Sequence, residues 1–346
     1  YTAMGYSVSR PVITNLYDRT EPHDRWTVIW GIGRAVPYAS SVDYYKSSEP
    51  NLYFHHISDD YLNSYYDAVD FDRAGINIHP EPGSSVNLDT DSSYEYGYIS
   101  GAVSAVDVDS DGDSDVIYFP VTVSYDPSSG VSEIADPGHT WFYKAVIDTS
   151  DLDNPEWCEF VDPHDYVEDR HEVYYASTTA WHNDGSLGVY WGTGSPYDRL
   201  NSDPGYVFGF IDEAPTTCPA TATPICTGGY LEMDEGEGLT GNPIAYQGVV
   251  YFPTYTPNED RCENGLGKIR GMSYNTCEGG IDSDGDGEAD AEYVETDGYP
   301  SSITITDQGE VIWGSSSFDN DNNFSTMSVV ADPFKGTRTM MIREVF

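Results

Sequence analysis

The apolar residues of this 346-residue chain fall in short runs, and almost none of the runs show helical periodicity. Most runs are rich in β-branched or aromatic residues and are bounded by Gly, Pro, Asp, Asn or Ser, which is typical of strands separated by turns. We therefore predict an all-β fold, with at most a short helix near 59–67. The predicted strands are 26–30, 51–57, 116–123, 140–147, 187–191, 206–211, 248–255, 302–306 and 311–313.

Three parts of the chain, starting near Pro11, Trp181 and Asn242, repeat one order of features. Each has a strand, a turn, a second strand ending in small residues, and then an outer strand. A unit of this kind, recurring at roughly 40–50 residues, indicates a β-propeller blade. The length predicts about seven blades, with six or eight as alternatives, in a single domain spanning 1–346. The segments 148–170 and 218–226 are predicted to be loop insertions, either contacting a partner or merely decorating the surface.

Two acidic stretches, 107–115 and 282–290, share the template D-x-D-x-D-G-x-x-D. In a calcium loop, positions 1, 3 and 5 supply carboxylates, the glycine permits a sharp turn, position 7 supplies its carbonyl and position 9 adds an oxygen. An EF-hand is disfavoured because Tyr118 and Tyr293 stand where its bidentate Glu would be, and strand-like sequence follows each loop. Two independent matches also disfavour a plain acidic turn.

We therefore predict calcium-binding loops, with Ca²⁺ as the cofactor. The predicted ligands are Asp107, Asp109, Asp111, Asp113 (through its carbonyl) and Asp115 in the first loop, and Asp282, Asp284, Asp286, Glu288 (through its carbonyl) and Asp290 in the second.

The net charge narrows the classes of partner. The chain has 59 acidic and 15 basic residues, a formal charge of -44. Such a surface disfavours nucleic acids and anionic membranes, and favours cations, cationic partners or a saline medium.

No apolar stretch of about 18 residues occurs, so no membrane insertion is expected. The chain starts at Tyr1 without a signal-like segment, and we expect a processed or truncated product.

The five cysteines, at 158, 218, 226, 262 and 277, form no C-x-x-C pair, which excludes zinc ribbons and thioredoxin-like motifs. Their spacing favours local disulfides between Cys218 and Cys226 and between Cys262 and Cys277, in an oxidising compartment. Cys158 would then be buried, paired with another chain or matched differently. Spacing alone does not determine the connectivity.

The sequence lacks linear catalytic motifs. There is no H-E-x-x-H, no G-x-S-x-G elbow and no phosphate-binding loop of the G-x-x-x-x-G-K type. Trp30, Trp191 and Trp313 have the chemistry to stack on a quinone, but strand-end aromatics are expected to pack between blades. We therefore predict that the chain is not an enzyme and has no catalytic residues. The alternative is a periplasmic or extracellular quinoprotein-like oxidoreductase, or a hydrolase.

Several segments, in the same order, resemble the C-terminal β-propeller of the PilC/PilY family, the type IV pilus-associated adhesins and biogenesis factors. The start, Gly5-Tyr-Ser-Val-Ser-Arg-Pro and 26–33, resembles the start of that domain. The first calcium loop lies where the family has its own. Tyr190-Trp-Gly-Thr-Gly is similar to the family's FGTG strand. The segments 250–262 and 337–344 resemble its Tyr/Pro/Cys-containing strand and its closing segment.

The resemblance implies a propeller at the bacterial outer surface or in the periplasm, where calcium regulates pilus extension, retraction or adhesion. The implied partners are subunits of a pilus or other extracellular filament, or a host or surface ligand. Its calcium ligands map onto Asp107, Asp109, Asp111, Asp113 and Asp115, whereas the second loop rests on its spacing alone. The family's von Willebrand A-like part and an Arg-Gly-Asp motif are absent from this sequence. A structural subunit decorating a filament, with Cys158 as a link between chains, is an alternative.

Overall fold

The computed structural model describes residues 9–18, 23–31, 51–56, 74–77, 96–124, 140–147, 155–167, 172–194, 203–258, 260, 263–282, 289, 291–306, 310–315 and 324–328. These residues contain 22 strands and a short 3-10 turn, and no α-helix. The all-β prediction is confirmed, whereas the helix predicted near 59–67 lies outside the described residues. Within the same ranges, no helix is long and apolar enough to cross a membrane.

The chain divides into two compact units. Unit 1 comprises residues 1–174 and 214–221, and unit 2 comprises 175–213 and 222–346. The single domain over 1–346 stays a prediction.

Unit 1 contains two antiparallel sheets. The first has the order β1-β2-β3-β4, and in the second β5 and β6 both pair with β7, followed by β8 and β9. The strands of the first sheet are β1 (Val12–Asp18), β2 (His23–Gly31), β3 (Asn51–His56) and β4 (Ala74–Asn77). Those of the second are β5 (Tyr96–Tyr98), β6 (Ser104–Val106), β7 (Val116–Ser124), β8 (Thr140–Val146) and β9 (Glu156–Val161), followed by the 3-10 turn Pro163–Asp165.

The core of unit 1 lies between these two sheets. Leu16, Ile29 and Leu52 of the first sheet belong to one buried cluster with Phe119 and Trp141 of the second, among other residues. Because successive strand side chains point to opposite faces, each strand contributes alternate residues to this cluster. The two sheets are thus held together by the burial of apolar side chains.

Unit 2 contains three antiparallel sheets built in the same manner from consecutive strands. The third sheet has β10 (Thr178–Trp181), β11 (Leu187–Gly192), β12 (Tyr206–Asp212), β13 (Ala222–Pro224) and β14 (Tyr230–Glu232). The fourth has β15 (Gly238–Leu239), β16 (Ile244–Tyr246), β17 (Val249–Thr256), β18 (Leu266–Ser273) and β19 (Tyr293–Asp297). The fifth has β20 (Thr304–Ile305), β21 (Glu310–Gly314) and β22 (Phe324–Ser328).

Trp191 and Trp313, which were predicted to pack between blades, are both buried in unit 2, and only Trp313 is clustered with residues of another sheet. The Trp191 ring is fully buried and stacks on Phe208 and Phe210, with centroids 5.3 and 5.6 Å away. Trp313 is buried in a cluster with Tyr251 and Ile269.

The three repeated units found in the sequence fall in the first, third and fourth sheets, and each corresponds to strands that pair as neighbours. The described residues form five such sheets along the chain. The number of blades, about seven, stays a prediction.

Two segments predicted to be loop insertions contain strands instead. The segment 148–170 includes β9, which pairs with β8, and the segment 218–226 includes β13, which pairs with β12. Their Asp- and Pro-rich flanks favour loops. However, Trp157 packs against the core of unit 1, and its burial outweighs the turn-forming flanks.

The predicted local disulfides are also wrong. Cys158 bonds to Cys218, 60 residues away, and Cys226 bonds to Cys277, 51 residues away. Their Cα atoms are 5.9 and 5.2 Å apart, so the fold brings together cysteines that are distant in sequence. Cys158 is therefore not a link to another chain. Cys262 lies outside the described residues.

Candidate metal centre

The first acidic loop connects two paired strands of the second sheet. Val106 at the end of β6 pairs with Val116 at the start of β7, so residues 107–115 form the connection between them. The predicted strand after the loop is confirmed as β7. The carboxylates of this loop are thus presented at the end of a hairpin whose strands are buried.

Three of the predicted ligands meet in this loop. Carboxylate oxygens of Asp107, Asp109 and Asp115 all lie within 4.8 Å of one another. Asp109 is exposed, and the other two are half-buried. Negative charges at such separations repel one another. A hard divalent cation bound by these oxygens would offset that repulsion. The donor set therefore fits Ca²⁺.

Backbone amides shape the loop around the first carboxylate. Asp107 accepts hydrogen bonds from the N–H groups of Ser110 (2.6 Å) and Gly112 (2.9 Å). Gly112 has a φ of 105°, in the region that disfavours side chains. The glycine at position 6 of the template is therefore needed for the turn, as the sequence predicted.

The remaining two predicted ligands of the first loop, Asp111 and Asp113, lie outside the group of three carboxylates. Asp111 accepts a hydrogen bond from the N–H of Asp113 at 3.0 Å, and its own N–H donates to Asp109 at 3.1 Å. Asp111 is exposed and does not belong to the group of three carboxylates. Asp113 is half-buried, and its predicted contribution is a backbone carbonyl.

Asp115 is the half-buried carboxyl at the last position of the loop template. Burial raises the pKa of this carboxyl, and the charges of Asp109, Asp107 and Asp111 raise it further, against a hydrogen bond from the N–H of Val108. That bond is 2.7 Å long. A cation among these oxygens would favour the ionised form.

The base of the loop is fixed to neighbouring strands. The N–H of Ser114 donates to the carbonyl of Asn15 at 2.9 Å, and the hydroxyls of Ser114 and Thr14 lie 2.6 Å apart. The N–H of Ile147, next to the end of β8, donates to the carbonyl of Asp115 at 2.8 Å. The base of the loop is thus held by hydrogen bonds to β1 and to the residue after β8.

The second acidic loop is described only at its ends. Asp282 is half-buried, whereas Asp284, Asp286, Glu288 and Asp290 lie outside the described residues. The N–H groups of Ile281 and Ala291 each donate to the other's carbonyl, at 3.0 and 2.9 Å. These two hydrogen bonds pair the backbone on either side of residues 282–290. The pairing of Val106 with Val116 does the same for the first loop.

One titratable group that the sequence did not single out is Glu159 on β9. It pairs across the strands with Tyr143, and its Oε2 atom is buried without a hydrogen-bond partner among the described residues. Burial raises the pKa of Glu159 to about 7, assisted by the charges of Asp162 and Asp165. The segment 148–170 was predicted to be a loop. A loop prediction does not include the strand alternation that places Glu159 beside aromatic residues.

A scan against protein-family models and a search of curated proteins found no match. Solved structures similar to this chain include the polysaccharide lyase Uly1, with 8% identity and a TM-score of 0.40, covering 94% of this chain and 70% of that one. A levansucrase variant from B. megaterium has 11% identity and a TM-score of 0.39, covering 94% and 84%. Zg3597, a family 117 glycoside hydrolase from the marine bacterium Zobellia galactanivorans, has 9% identity and a TM-score of 0.36, covering 92% and 81%.

These similarities contradict the prediction that the chain is not an enzyme, because the three structures are enzymes by their descriptions. The prediction rested on the absence of linear catalytic motifs. A folded chain can bring together carboxylates that are distant in sequence and belong to no such motif. Identities of 8 to 11% assign no reaction or substrate to this chain.

Proposed function

We propose that this chain is a calcium-binding β-propeller protein that acts outside the cytoplasm, in the type IV pilus-associated role that its resemblance to the PilC/PilY family implies. The observation that supports calcium binding most directly is the meeting of Asp107, Asp109 and Asp115 at the end of one hairpin. The five sheets of consecutive antiparallel strands support the propeller. The two disulfides favour an oxidising compartment.

Calcium would be held by Asp107, Asp109 and Asp115, with Asp111 and the carbonyl of Asp113 as further ligands from the same loop. A bound ion supplies positive charge where the chain concentrates negative charge, and thereby stiffens the hairpin. Since Ser114 joins the base of the loop to β1, the stiffening would extend to the first sheet. The second loop, at Asp282, is proposed as a second site of the same kind.

Counting bound ions tests this proposal. Isothermal titration with Ca²⁺ is expected to give two sites in the wild type and one in Asp109→Asn or Asp286→Asn. Glu232→Ala removes an exposed carboxylate elsewhere and is expected to keep both sites. Chelation with EGTA is expected to lower the melting temperature. A wild-type melting curve that EGTA leaves unchanged, with no titration heat, would contradict the calcium proposal.

The proposed pilus association has a separate test. Purified type IV pili are sedimented with this protein in calcium-containing or EGTA-containing buffer. We expect co-sedimentation with calcium and less of it with EGTA. Absence from the pellet in both buffers, by a protein that binds calcium, would contradict the pilus role and leave the calcium site standing.

A carbohydrate-active enzyme is a second candidate, and Glu159 is the observation that favours it. A carboxyl held protonated near neutral pH by burial is what a general acid in glycoside cleavage needs. Its neighbours Asp162 and Asp165 would be the candidates for the second carboxylate. Release of reducing ends from polysaccharides by the wild type, lost in Glu159→Gln, would support this function, and equal release by both would reject the assignment of Glu159.

A further inference from the structure

An Asp–Pro peptide bond follows β9 directly, between Asp162 and Pro163. An aspartate side chain can close a five-membered ring on the carbonyl carbon of its own residue. A proline nitrogen belongs to a tertiary amide, and it leaves more readily once protonated than an ordinary amide nitrogen. Asp–Pro bonds are therefore the peptide bonds most prone to cleavage in acid. The chain has four others, after residues 126, 136, 203 and 332.

The carboxyl of Asp162 is held beside its own peptide bond. Asp162 is 7% exposed, and its Oδ1 atom accepts a hydrogen bond from the N–H of His164 at 2.9 Å. Because that N–H belongs to the second residue along the chain, the hydrogen-bonded ring encloses the Asp162–Pro163 peptide. Asp followed by Pro is favoured at the start of such a turn. The folded chain thus fixes a carboxyl that would rotate freely in an unfolded chain.

Backbone N–H groups also hold both sides of the bond. The N–H of Asp165 donates to the carbonyl oxygen of Asp162 at 3.2 Å. Negative charge develops on this oxygen when its carbon is attacked, and a fixed donor stabilises that charge. The carbonyl of Pro163 accepts from the N–H groups of Tyr166 and Val167, both at 3.0 Å. The turn therefore positions the attacking group, the attacked carbonyl and the leaving residue.

The titratable groups around Asp162 include Glu159 on β9, Tyr143 on β8, and His164 and Asp165 in the turn. Burial, and then the charges of Asp162 and Asp165, raise the pKa of Glu159 to about 7. Burial, and then the charges of Glu159 and Asp162, raise the pKa of Tyr143 as well. Glu159 is therefore mostly protonated below pH 7, so these carboxyls begin to take up protons in mildly acidic solution.

We propose that the folded chain cleaves its own Asp162–Pro163 bond in mildly acidic solution, with the carboxyl of Asp162 as the nucleophile. The carboxyl proton passes to the proline nitrogen, and a carboxyl oxygen attacks the carbonyl carbon of Asp162. The oxygen–carbon bond forms and the carbon–nitrogen bond breaks, which leaves a cyclic anhydride at Asp162 and a secondary amine at Pro163. One water molecule then opens the anhydride into two carboxyl groups. The reaction needs no oxidant or reductant.

The two pieces of the cleaved chain stay joined by a disulfide. Cys158 belongs to the piece 1–162 and Cys218 to the piece 163–346, and these cysteines are bonded to each other. Cleavage therefore adds the mass of one water molecule and releases no fragment until the disulfide is reduced. The cut is invisible on a gel without reductant, which gives the test a clear signature.

Gel electrophoresis of folded protein kept at pH 5 or pH 8 tests this proposal without reference to calcium or pili. At pH 5 we expect one band without reductant and two after reduction, the smaller-numbered piece ending at Asp162. N-terminal sequencing of the other piece is expected to begin Pro163-His-Asp-Tyr. Less cleavage is expected at pH 8, where fewer protons are available to the leaving nitrogen. A wild-type chain that stays uncut after prolonged incubation at pH 5 would overturn the proposal.

Two variants, verified as folded by circular dichroism, identify the reacting groups. Asp162→Asn keeps an oxygen that accepts the His164 N–H but lacks the acid, and it is expected to stay uncut. Pro163→Ala keeps the acid but replaces the tertiary amide, and it is also expected to stay uncut. Cutting of Asp162→Asn at the wild-type rate would show that the carboxyl is not the nucleophile and would overturn the proposal.

The bond between Asp203 and Pro204 is an internal control, because Asp203 is exposed. In the folded protein we expect the bond after Asp162 to be cut at least about tenfold faster than this one, since its carboxyl is already in place. In urea at the same pH the preference is expected to disappear. Equal rates at the two bonds in the folded protein would mean ordinary acid lability and would overturn the proposal.

Discussion

Glu159 shows how the surroundings of one side chain reverse its usual ionisation. Its strand partner is Tyr143, and Trp157, two residues earlier on β9, lies against the same core. Successive strand residues alternate between faces, so Glu159 and Trp157 share the face that meets apolar groups. Removal from water favours the neutral carboxyl, which explains the pKa of about 7.

This raised pKa predicts that Glu159 destabilises the protein at high pH. The folded state retains the proton up to about pH 7, whereas the unfolded state releases it near the ordinary value of 4.5. The favourable contribution is therefore present below about pH 4.5 and is lost as the pH rises through 7. We expect Glu159→Gln to increase the free energy of unfolding at pH 8 by about 1–2 kcal/mol, allowing for partial solvent screening.

Urea unfolding at pH 8 and pH 4 measures this effect, which should vanish at pH 4 where the wild type is protonated. Glu156→Gln, at an exposed position of the same strand, serves as the control and should change little at either pH. Equal stability of wild type and Glu159→Gln at pH 8 would contradict the buried, protonated carboxyl.

His182 has the opposite dependence on pH. Burial lowers its pKa below 6.5, outweighing Asp184 and a hydrogen bond with Asn275. Its Nε2 atom lies 2.7 Å from the hydroxyl of Tyr190, which donates to the carbonyl of Tyr274 at 2.8 Å. Nε2 is therefore the donor to Tyr190. Because the unfolded state binds the proton first, stability should fall as the pH drops below about 6.5.

Titration of the imidazole by NMR checks this prediction directly. We expect the pKa of His182 to lie below the ordinary histidine value of 6.5, because burial disfavours the charged ring. Thermal unfolding should also lose less stability between pH 7 and pH 5 in His182→Gln than in the wild type. A pKa for His182 at or above 6.5 would show that the ring is not desolvated.

At the scale of elements, the hairpins are joined by close backbone approaches as well as by side chains. The N–H of Leu239, in β15, donates to the carbonyl of Thr193 at 3.0 Å. A Cβ atom added to the adjacent Gly194 would lie 2.4 Å from Leu239 N and 2.8 Å from Leu239 O. These are backbone atoms of Leu239, and they cannot move aside as the end of a flexible side chain can.

Gly194→Ala should therefore separate this contact between the third and fourth sheets. We expect a loss of about 1–3 kcal/mol in the free energy of unfolding, in the range of overpacked positions. Gly238→Ala is the matched control, since the atom nearest to its added Cβ would be 3.2 Å away, and a smaller loss is expected. Chemical unfolding measures both. Equal losses in the two variants would indicate that glycine is needed for some other reason.

The disulfides belong to the same scale, because each joins two elements that are distant in sequence. The bond of Cys158 connects β9 to the segment 214–221, and both are parts of unit 1. Lys144 on β8, fully buried, donates from Nζ to the carbonyl of Ala214 at 2.8 Å in the same segment. The segment is thus held to the second sheet by a covalent bond and a hydrogen bond.

At the scale of the whole molecule, charge is the dominant feature. The net charge of -44 imposes self-repulsion that opposes the folded state. Such repulsion acts over about 30 Å at 0.01 M salt but only about 3 Å at 1 M. Stability should therefore depend on ionic strength more strongly than in a balanced protein.

We predict that the melting temperature rises as KCl increases from about 0.01 M to about 1 M. The experiment is performed in EGTA, so that calcium binding does not contribute. Sucrose, an uncharged solute, provides the control for effects other than screening. A melting temperature that does not respond to KCl would mean that the acidic residues are already neutralised or dispersed in the folded protein.

The sequence alone determined the features that depend on neighbouring residues. The strands around Trp191 and Phe119 follow from short β-branched and aromatic runs, whose alternation is a local property of an extended chain. The turn at Gly112 and the nine-residue spacing of the first acidic loop are equally local. The carboxylates of Asp107 and Asp109 are therefore assigned to one site by their spacing, and they do lie together.

Only the tertiary structure decided which distant residues meet. Cys158 and Cys218, Tyr143 and Glu159, and Lys144 and Ala214 come from different strands and connections. No spacing in the chain reveals these contacts, because they depend on strand pairing and on the packing of one sheet face against another. Burial then changes the chemistry of the groups themselves, as it does for Glu159, since the same carboxyl in water would be ionised at neutral pH.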